Sequence, residues 1–413
     1  MTERNNRDMA VEGLRGLCAL LVIFGHATFM APVLDPGYSC DRLHIDFGPQ
    51  AVFVFFVISG YVIGMTSRGA PTGAAIRHYC SRRLLRIVPI AWTAVLVTRL
   101  LFRRNSLWDV GGNLLFLQNS LPYPFGLRVA VLYDDPPLWS LSFEMLYYAL
   151  FILVWRFAPR MLGVFGVTIL VAMADVLGFP AIFSRYAAYF VYWLCGLCIA
   201  WNARPAPGDA RSAWPAAVCA AFAIWRLEPV HTFLAGAAPL LRGLDPDRFH
   251  IDALLGSVLI VLAVTRRAPS LQGRLGALAI VLGLCVLPLK YGLGELSSMD
   301  LLEAAVLCLC ILARNWRPAP RPFAALAPVG LVSYALYATA YPLMRLVYRC
   351  PGLPSGSTAT FLLRLVIYGS LCAAVAVFLE RFMQPMWVRW MTALFRLRPA
   401  GVPQTSTLRE ANN

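Results

Sequence analysis

Charge is scarce in this chain. Of its 413 residues only 14% are Asp, Glu, Lys or Arg, against 59% hydrophobic, and the mean hydropathy is +0.65. Such a balance excludes an ordinary soluble domain and points to an integral membrane protein. A cleavage-type small-residue site is missing after the polar start Met1-Thr-Glu-Arg-Asn-Asn-Arg-Asp8, so no removable signal peptide is expected. There is no basic soluble domain with exposed aromatics, so nucleic acid is not an expected partner. Cys195-x-x-Cys198 has neither a second cysteine pair nor a histidine cluster beside it, and no metal site is expected. Most of the eleven cysteines sit in apolar runs, where Cys acts as a small hydrophobe. Cys40 and Cys350 fall in expected outer loops, and a disulfide between them stays open. An internal repeat is also lacking.

What is present is a series of apolar runs separated by arginine clusters. Candidate spans are 14–34, 49–65, 87–102, 138–156, 161–179, 186–202, 212–227, 251–265, 275–291, 296–313, 327–344 and 361–380. The runs 212–227 and 251–265 are short or interrupted by Pro215 and Trp225-Arg226, and without them ten remain. Either even count puts both termini on one side. The arginines that give the formal charge of +15 gather on that side, from Arg4 and Arg7 through Arg68–Arg86, Arg156, Arg204, Arg266, Arg267 and Arg314 to Arg389. By the positive-inside rule that side is cytoplasmic. Arg103 and Arg104 depart from the pattern. The expected architecture is an all-α, polytopic membrane helix bundle of ten to twelve spans, with a cytoplasmic tail over 1–11, a membrane domain over 12–390 and a disordered polar tail over 391–413. The stretch 106–120 is too short to span and reads as re-entrant or interfacial.

Chemistry-bearing residues lie inside these apolar runs, where ionisable groups are costly and functional by default. In the first, Arg15 and His26 are eleven residues apart, which returns to within about 20° of one helix face. They are then separated by roughly 16 Å along the axis, placing an imidazole near mid-depth. Glu12 lies one turn before Arg15. A neutral imidazole there is suited to general-base work on a hydroxyl or to transient acyl acceptance. Ser59-Gly60 in the second run reads mainly as helix packing. Arg83 and Arg86, one turn apart before Pro89, are a topological signal or a phosphate clamp, since guanidinium forks match phosphate oxygens. Ser140, Glu144 and Tyr147/Tyr148 form a polar stripe in the run opened by Leu-Trp139-Ser140-Leu-Ser142, with Glu144 expected to pair with Arg15 or His26 or to bind the acceptor. Ser333, Tyr337 and Tyr341 make a hydroxyl stripe, and Glu380-Arg381 reads as an interfacial anchor.

Glu12-Gly-Leu-Arg15-Gly-Leu with His26, Phe-Phe-Val-Ile-Ser59-Gly60-Tyr, Arg83-x-x-Arg86-Ile-x-Pro89, Leu-Trp139-Ser140-Leu-Ser142-x-Glu144 and Ser333-Tyr334-x-Leu-Tyr337 occur in that order. The set resembles the signature blocks of the acyltransferase family 3 membrane proteins, over about residues 9–390. Members are multi-span O-acyltransferases, usually of ten core helices. They move acyl groups, most often acetyl from cytoplasmic CoA thioesters, to sugars of surface polysaccharides, lipopolysaccharide, peptidoglycan, Nod factors or macrolides. The resemblance implies His26 as the catalytic histidine with Arg15 as its partner and Glu144 as a site carboxylate. It makes Arg83 and Arg86 the acyl-CoA-side arginines, and Trp139, Ser140, Ser142 and Tyr337 are taken as substrate-binding residues. Acyl-CoA is then a co-substrate, and no permanently bound cofactor is implied.

Glu12 replaces the family's usual Asp, and Ala340 stands where the tyrosine-rich block usually ends in histidine. No appended extracytoplasmic hydrolase-like domain is expected. The leading expectation is an O-acyltransferase of a bacterial cytoplasmic membrane acting on a surface glycan or a glycosylated small molecule. CoA's long pantetheine arm suits a channel from a basic mouth to a histidine. The alternatives are a secondary transporter, which would require matching halves, and a non-catalytic acyl-sensing member, for which Ala340 is the hint.

Overall fold

A membrane-buried backbone has no water to bond, so apolar runs of this length form helices that satisfy their own amides. The computed structural model describes residues 8–38, 47–119, 121–157, 160–174, 179–206, 211–237, 250–313 and 315–394, and it is helical, with no strand among those residues. Helix α1 (Met9–Phe29) and a single turn, α2 (Ala31–Leu34), precede α3 (Gly48–Thr66) and α4 (Gly73–Phe102). The two-turn α5 (Leu107–Leu114) and an irregular stretch lead to α6 (Trp139–Phe157), α7 (Met161–Ala172) and α8 (Ala181–Asn202). Next come α9 (Trp214–Leu227), α10 (Pro229–Ala237), α11 (Ile251–Val264), α12 (Pro269–Gly292) and α13 (Ser298–Ala313). Short α14 (Arg321–Ala325) and α15 (Ala327–Leu331) run into α16 (Ser333–Tyr348), and α17 (Thr358–Phe378) continues through a π-helical turn, Leu379–Met383, into α18 (Gln384–Leu394).

Among the described residues, seven stretches are long and apolar enough to cross a membrane: Met9–Phe29, Gly48–Thr66, Gly73–Phe102, Pro136–Phe157, Ala181–Asn202, Pro269–Gly292 and Thr358–Ala393. The other expected spans are shorter helices. Proline opens α9, the acidic Asp300 and Glu303 interrupt the apolar face of α13, and the run 327–344 is broken at Val332 into α15 and α16. The acidic pair is answered by bases: Lys290 sits 2.7 Å from Asp300, and Arg226 lies 3.5 Å from Glu303. The segment 106–120 carries the two-turn α5, capped by the Ser106 hydroxyl. Cys40 and residues 395–413 lie outside the described residues, as does most of the loop between α2 and α3.

Two cores result. The larger joins α1, α3, α4, α6, α8, α16 and α17 through residues such as Val22, Phe56, Ile90, Phe151, Trp193 and Tyr368. A smaller one, around Ile224, Leu259, Ala279 and Leu307, holds α9, α11, α12 and α13 together.

Glycines set the closest approaches. A Cβ on Gly60 would stand 1.9 Å from the Trp193 carbonyl oxygen, and one on Gly196 would meet the Val57 carbonyl oxygen at the same distance, so α3 and α8 touch backbone to backbone. A Cβ on Gly330 would lie 1.8 Å from the Glu12 carbonyl oxygen, and one on Gly13 would overlap Phe323, which seats α1 directly on α14 and α15. Small residues at such crossings are how helices pack in lipid, where the hydrophobic effect gives no drive between them. The Ser59-Gly60 pair is therefore a packing element at Gly60, whatever Ser59 does.

Pro89 sits inside α4, where it cannot donate to the Leu85 carbonyl one turn back. Gln384 supplies the lost donor. Its Nε2 lies 3.2 Å from the Leu85 oxygen and 3.3 Å from the Arg86 oxygen.

Gly60→Ala is expected to destabilise the protein by at least about 3 kcal/mol, because the methyl meets fixed backbone rather than a movable side chain. Thermal unfolding in detergent checks this, with Gly111→Ala, where a Cβ meets nothing within 4 Å, as the tolerated control.

Candidate functional site

A cavity of about 790 Å³ opens between α1, α3, α4, α6, α16 and the π-turn after α17. Among the described residues six arginines line it, Arg15, Arg82, Arg83, Arg86, Arg266 and Arg267, against four carboxylates, Asp8, Glu12, Glu144 and Glu380. That surplus of positive charge is suited to anions, and guanidinium forks are matched to phosphate.

The helical stripe on α6 forms one wall. Ser140, Glu144 and Tyr148, each four residues apart, all line the cavity, while Tyr147 turns away and donates to the Tyr186 carbonyl at 2.9 Å. Glu144 Oε1 accepts from the Ser59 hydroxyl at 3.1 Å and from the Tyr148 hydroxyl. Arg83 stacks over Tyr148, with its guanidinium carbon 5.6 Å from the ring centre. Arg15 Nη1 donates to Glu12 Oε2 at 3.3 Å, and Arg15 is within electrostatic reach of Arg86 and Glu144. Arg83, Arg86, Arg15 and Glu144 are thus gathered in one chamber. At the far end Ser140 and Tyr337 share a hydrogen bond of 2.8 Å, and Tyr337 also donates to the Pro137 carbonyl.

Three of the sequence-selected residues stand elsewhere. Ser142 uses its hydroxyl on the Trp139 carbonyl one turn back, at 2.9 Å. Trp139 belongs to an aromatic cluster with Phe143 and Tyr189, under the guanidinium of Arg185. His26 is not at the middle of its helix. It lies in the last turn of α1 and meets Tyr341 edge to face, with ring centres 6.0 Å apart. Between Arg15 and His26 the α1 residues Cys18, Ala19 and Val22 are buried in the core, so the cavity ends before the histidine is reached. Tyr337 and Tyr341 bridge that gap. One helical turn apart on α16, the first closes the cavity and the second touches His26. Ala340, where the resembled block has histidine, is fully buried beside them.

A second polar group surrounds the Tyr341 end. Arg345 Nε lies 3.3 Å from Asp134 Oδ1, and Asp134 and Asp135 are both 0% exposed. The Asp135 carboxylate has no hydrogen-bond partner among the described residues. Burial, with the neighbouring Asp134 charge, pushes its carboxyl well above the usual range.

Several members of the chamber are read from the sequence in other roles, Ser59 in helix packing, Arg266 and Arg267 as topological charge and Glu380 as an interfacial anchor. Ser59 carries chemistry-ready contacts as well as its glycine neighbour's packing role. Arg266 and Arg267 look like topological charges until the fold brings them in. Arg267 is in part structural, donating to the Tyr61 hydroxyl at 3.0 Å and to the Ala203 carbonyl at 2.6 Å. Glu380 enters on the π-turn, a feature often found at functional sites. Among the described residues no group of three or more His, Cys, Asp or Glu is placed to hold a metal ion.

Comparison with known proteins places this geometry. A family model described as an acyltransferase domain matches residues 9–381. An acyltransferase, MdmB, from Streptomyces mycarofaciens is 28% identical over 170 residues, which cover 39% of this chain and 42% of MdmB. A protein named as a membrane-bound transacylase, BcsY, from Komagataeibacter xylinus is 30% identical over 207 residues, 46% of each chain. The chain thus spans less than half the length of these curated relatives. No solved structure matches it.

A group held neutral by burial binds its proton in the folded chain at a pH where the unfolded chain has lost it, so folding stability falls as pH rises. The fall begins near pH ~4, the ordinary carboxylate value, and runs upward toward the raised value of Asp135. Asp135→Asn is expected to flatten that slope, read as the apparent Tm of wild type and variant in detergent from pH 4 to 8.

Proposed function

The chain belongs to the acyltransferase-domain family whose model covers residues 9–381, and on that premise we propose that it transfers an acyl group, acetyl as the default, from cytoplasmic acyl-CoA to a hydroxyl of a sugar-containing acceptor at a bacterial cytoplasmic membrane. The observation that carries this reading is the arginine-lined cavity that narrows to hydroxyls one helical turn from the His26 contact. Its volume lies within the range of ligand pockets, roughly 300–1,000 Å³. Arg82, Arg83 and Arg86 on one helix, with Arg266 opposite, suit the phosphates of CoA. The apolar walls from Val52, Phe55, Leu141 and Leu331 suit its thin arm.

In the proposed reaction the thioester end of the donor passes Tyr337 toward Tyr341, and the His26 imidazole takes the proton of the acceptor hydroxyl as its oxygen attacks the thioester carbonyl carbon. The carbon–sulfur bond then breaks, and the departing CoA sulfur receives the proton from the imidazolium. One ester and one free thiol result. Glu144, Ser59 and Tyr148 position Arg83 and Arg15 beside the donor rather than touching the reacting carbon. The acceptor, a cell-surface polysaccharide, a lipid-linked glycan or a glycosylated small molecule, approaches from the side of Tyr341, Asp134 and Asp135.

Radiolabelled acetyl-CoA, offered to purified protein in nanodiscs with and without added glycan, tests the reading. His26→Ala is expected to lose turnover by about 10²–10⁴-fold while still binding acetyl-CoA. Arg86→Gln is expected to raise KM about tenfold, the weight of one charge-assisted contact, with a smaller effect on kcat. Binding without turnover in wild type would favour a longer acyl donor or an acyl-sensing role. Absence of binding would remove CoA from the account.

A further inference from the structure

Arg266 lines a second cavity as well as the first. This one measures about 410 Å³ and lies among α9, α12 and α13, in the smaller of the two cores. Its body is apolar and made of small residues: Ala216, Ala217 and Ala220 of α9 face Gly273 and Gly276 of α12. Such stripes normally let two helices close on one another. Here they stand apart, since a Cβ on Gly273 or Gly276 would meet nothing within 4 Å.

The mouth has the opposite character. Arg211, Arg266 and Arg317 surround it at the helix ends, beside Ser212. Ser212 is 6% exposed, and its hydroxyl has no hydrogen-bond partner among the described residues. A buried hydroxyl left without a partner costs free energy unless a ligand answers it. Of the seven long apolar stretches, the one containing α12 has the smallest share buried inside the protein, so the cleft borders the bilayer.

A cavity that is cationic at one end and apolar along its length matches an amphiphile with a negative head. We propose that it binds an anionic phospholipid of the surrounding leaflet. One acyl chain lies in the alanine–glycine cleft, and the phosphate is held by Arg266 and Arg317 with a hydrogen bond from Ser212. Basic pockets between spanning helices on the positively charged side are where such head groups bind. The cavity shares only Arg266 with the donor chamber, and Gly276 and Arg317, which the test replaces, lie outside that chamber, so the test does not depend on acyl transfer.

The test uses the full-length protein in nanodiscs holding equal phosphatidylglycerol and phosphatidylcholine, released into mild detergent and weighed by native mass spectrometry. Wild type is expected to retain phosphatidylglycerol in preference to phosphatidylcholine. Gly276→Leu, which fills the cleft, and Arg317→Gln are each expected to lower that retention about fivefold, the effect of one basic residue at an anionic surface. Should Gly276→Leu not fold, Arg317→Gln alone decides. Equal retention of the two lipids by wild type overturns the proposal, and so does unchanged retention in the variants. A third arm adds inorganic phosphate to protein in phosphatidylcholine alone. If that raises Tm as much as phosphatidylglycerol does, and Arg317→Gln abolishes the rise, the mouth is a phosphate site and the lipid is overturned.

Discussion

The contact between the Glu12 backbone and Gly330 decides where the charged face of α1 can point. With no side chain between the two backbones, α1 has neither room to slide nor freedom to roll against α15. That fixed rotation sends Arg15 into the cavity, within reach of Glu12, Arg86 and Glu144, and sends His26 toward Tyr341 three turns on. A roll that turned Arg15 to lipid would cost about 3 kcal/mol on insertion scales, so packing and electrostatics agree on one arrangement. The charged site is in this sense a by-product of a glycine contact, held in place without a dedicated strut.

Inside the chamber, opposite charges keep like charges together. Six guanidinium groups around one cavity would repel one another, and four carboxylates interleave with them while leaving the arginines in excess. Glu144 is the centre of that arrangement, because the hydroxyls of Ser59 and Tyr148 fix its oxygen and the Tyr148 ring in turn supports Arg83. The excess is what an anionic donor meets. Near Tyr341, Asp134 is paired with Arg345 and Asp135 is held protonated by burial, so that end carries no matching surplus of charge and the two ends of the path differ in charge as well as in shape.

Local periodicity made part of this readable from the sequence. Ser140, Glu144 and Tyr148 recur at helical spacing, and the structure lines them along one wall as that spacing demands. Glu12 and Arg15, read as one turn apart on the same side, form an ion pair. Arg83 and Arg86 share a face and enter the same chamber. What the sequence could not show is set by partners distant along the chain. Arg266, Arg267, Glu380 and Gln384 reach the site only because α11, α17 and α18 fold against α4 and α3, and their own neighbourhoods mark them at most as topological charge or, for Glu380, as an interfacial anchor. Helix faces explain the direction of His26 but not its distance from the cavity, since the core residues Cys18, Ala19 and Val22 close the space between. The count of spans differs for a related reason: composition detects apolar runs, whereas proline at the start of α9 and acids within α13 shorten the helices those runs form.

Gln384 ties the two ends of the chain's history together. The carbonyl of Leu85 loses its natural partner to Pro89, and the amide that replaces it comes from α18, 299 residues later. During synthesis the arginine-bearing segment is therefore made long before the amide of Gln384 and the carboxylate of Glu380 that complete its surroundings. The chamber's wall can close only after both have been added, so a chain cut short of Glu380 carries the arginines without either answering group.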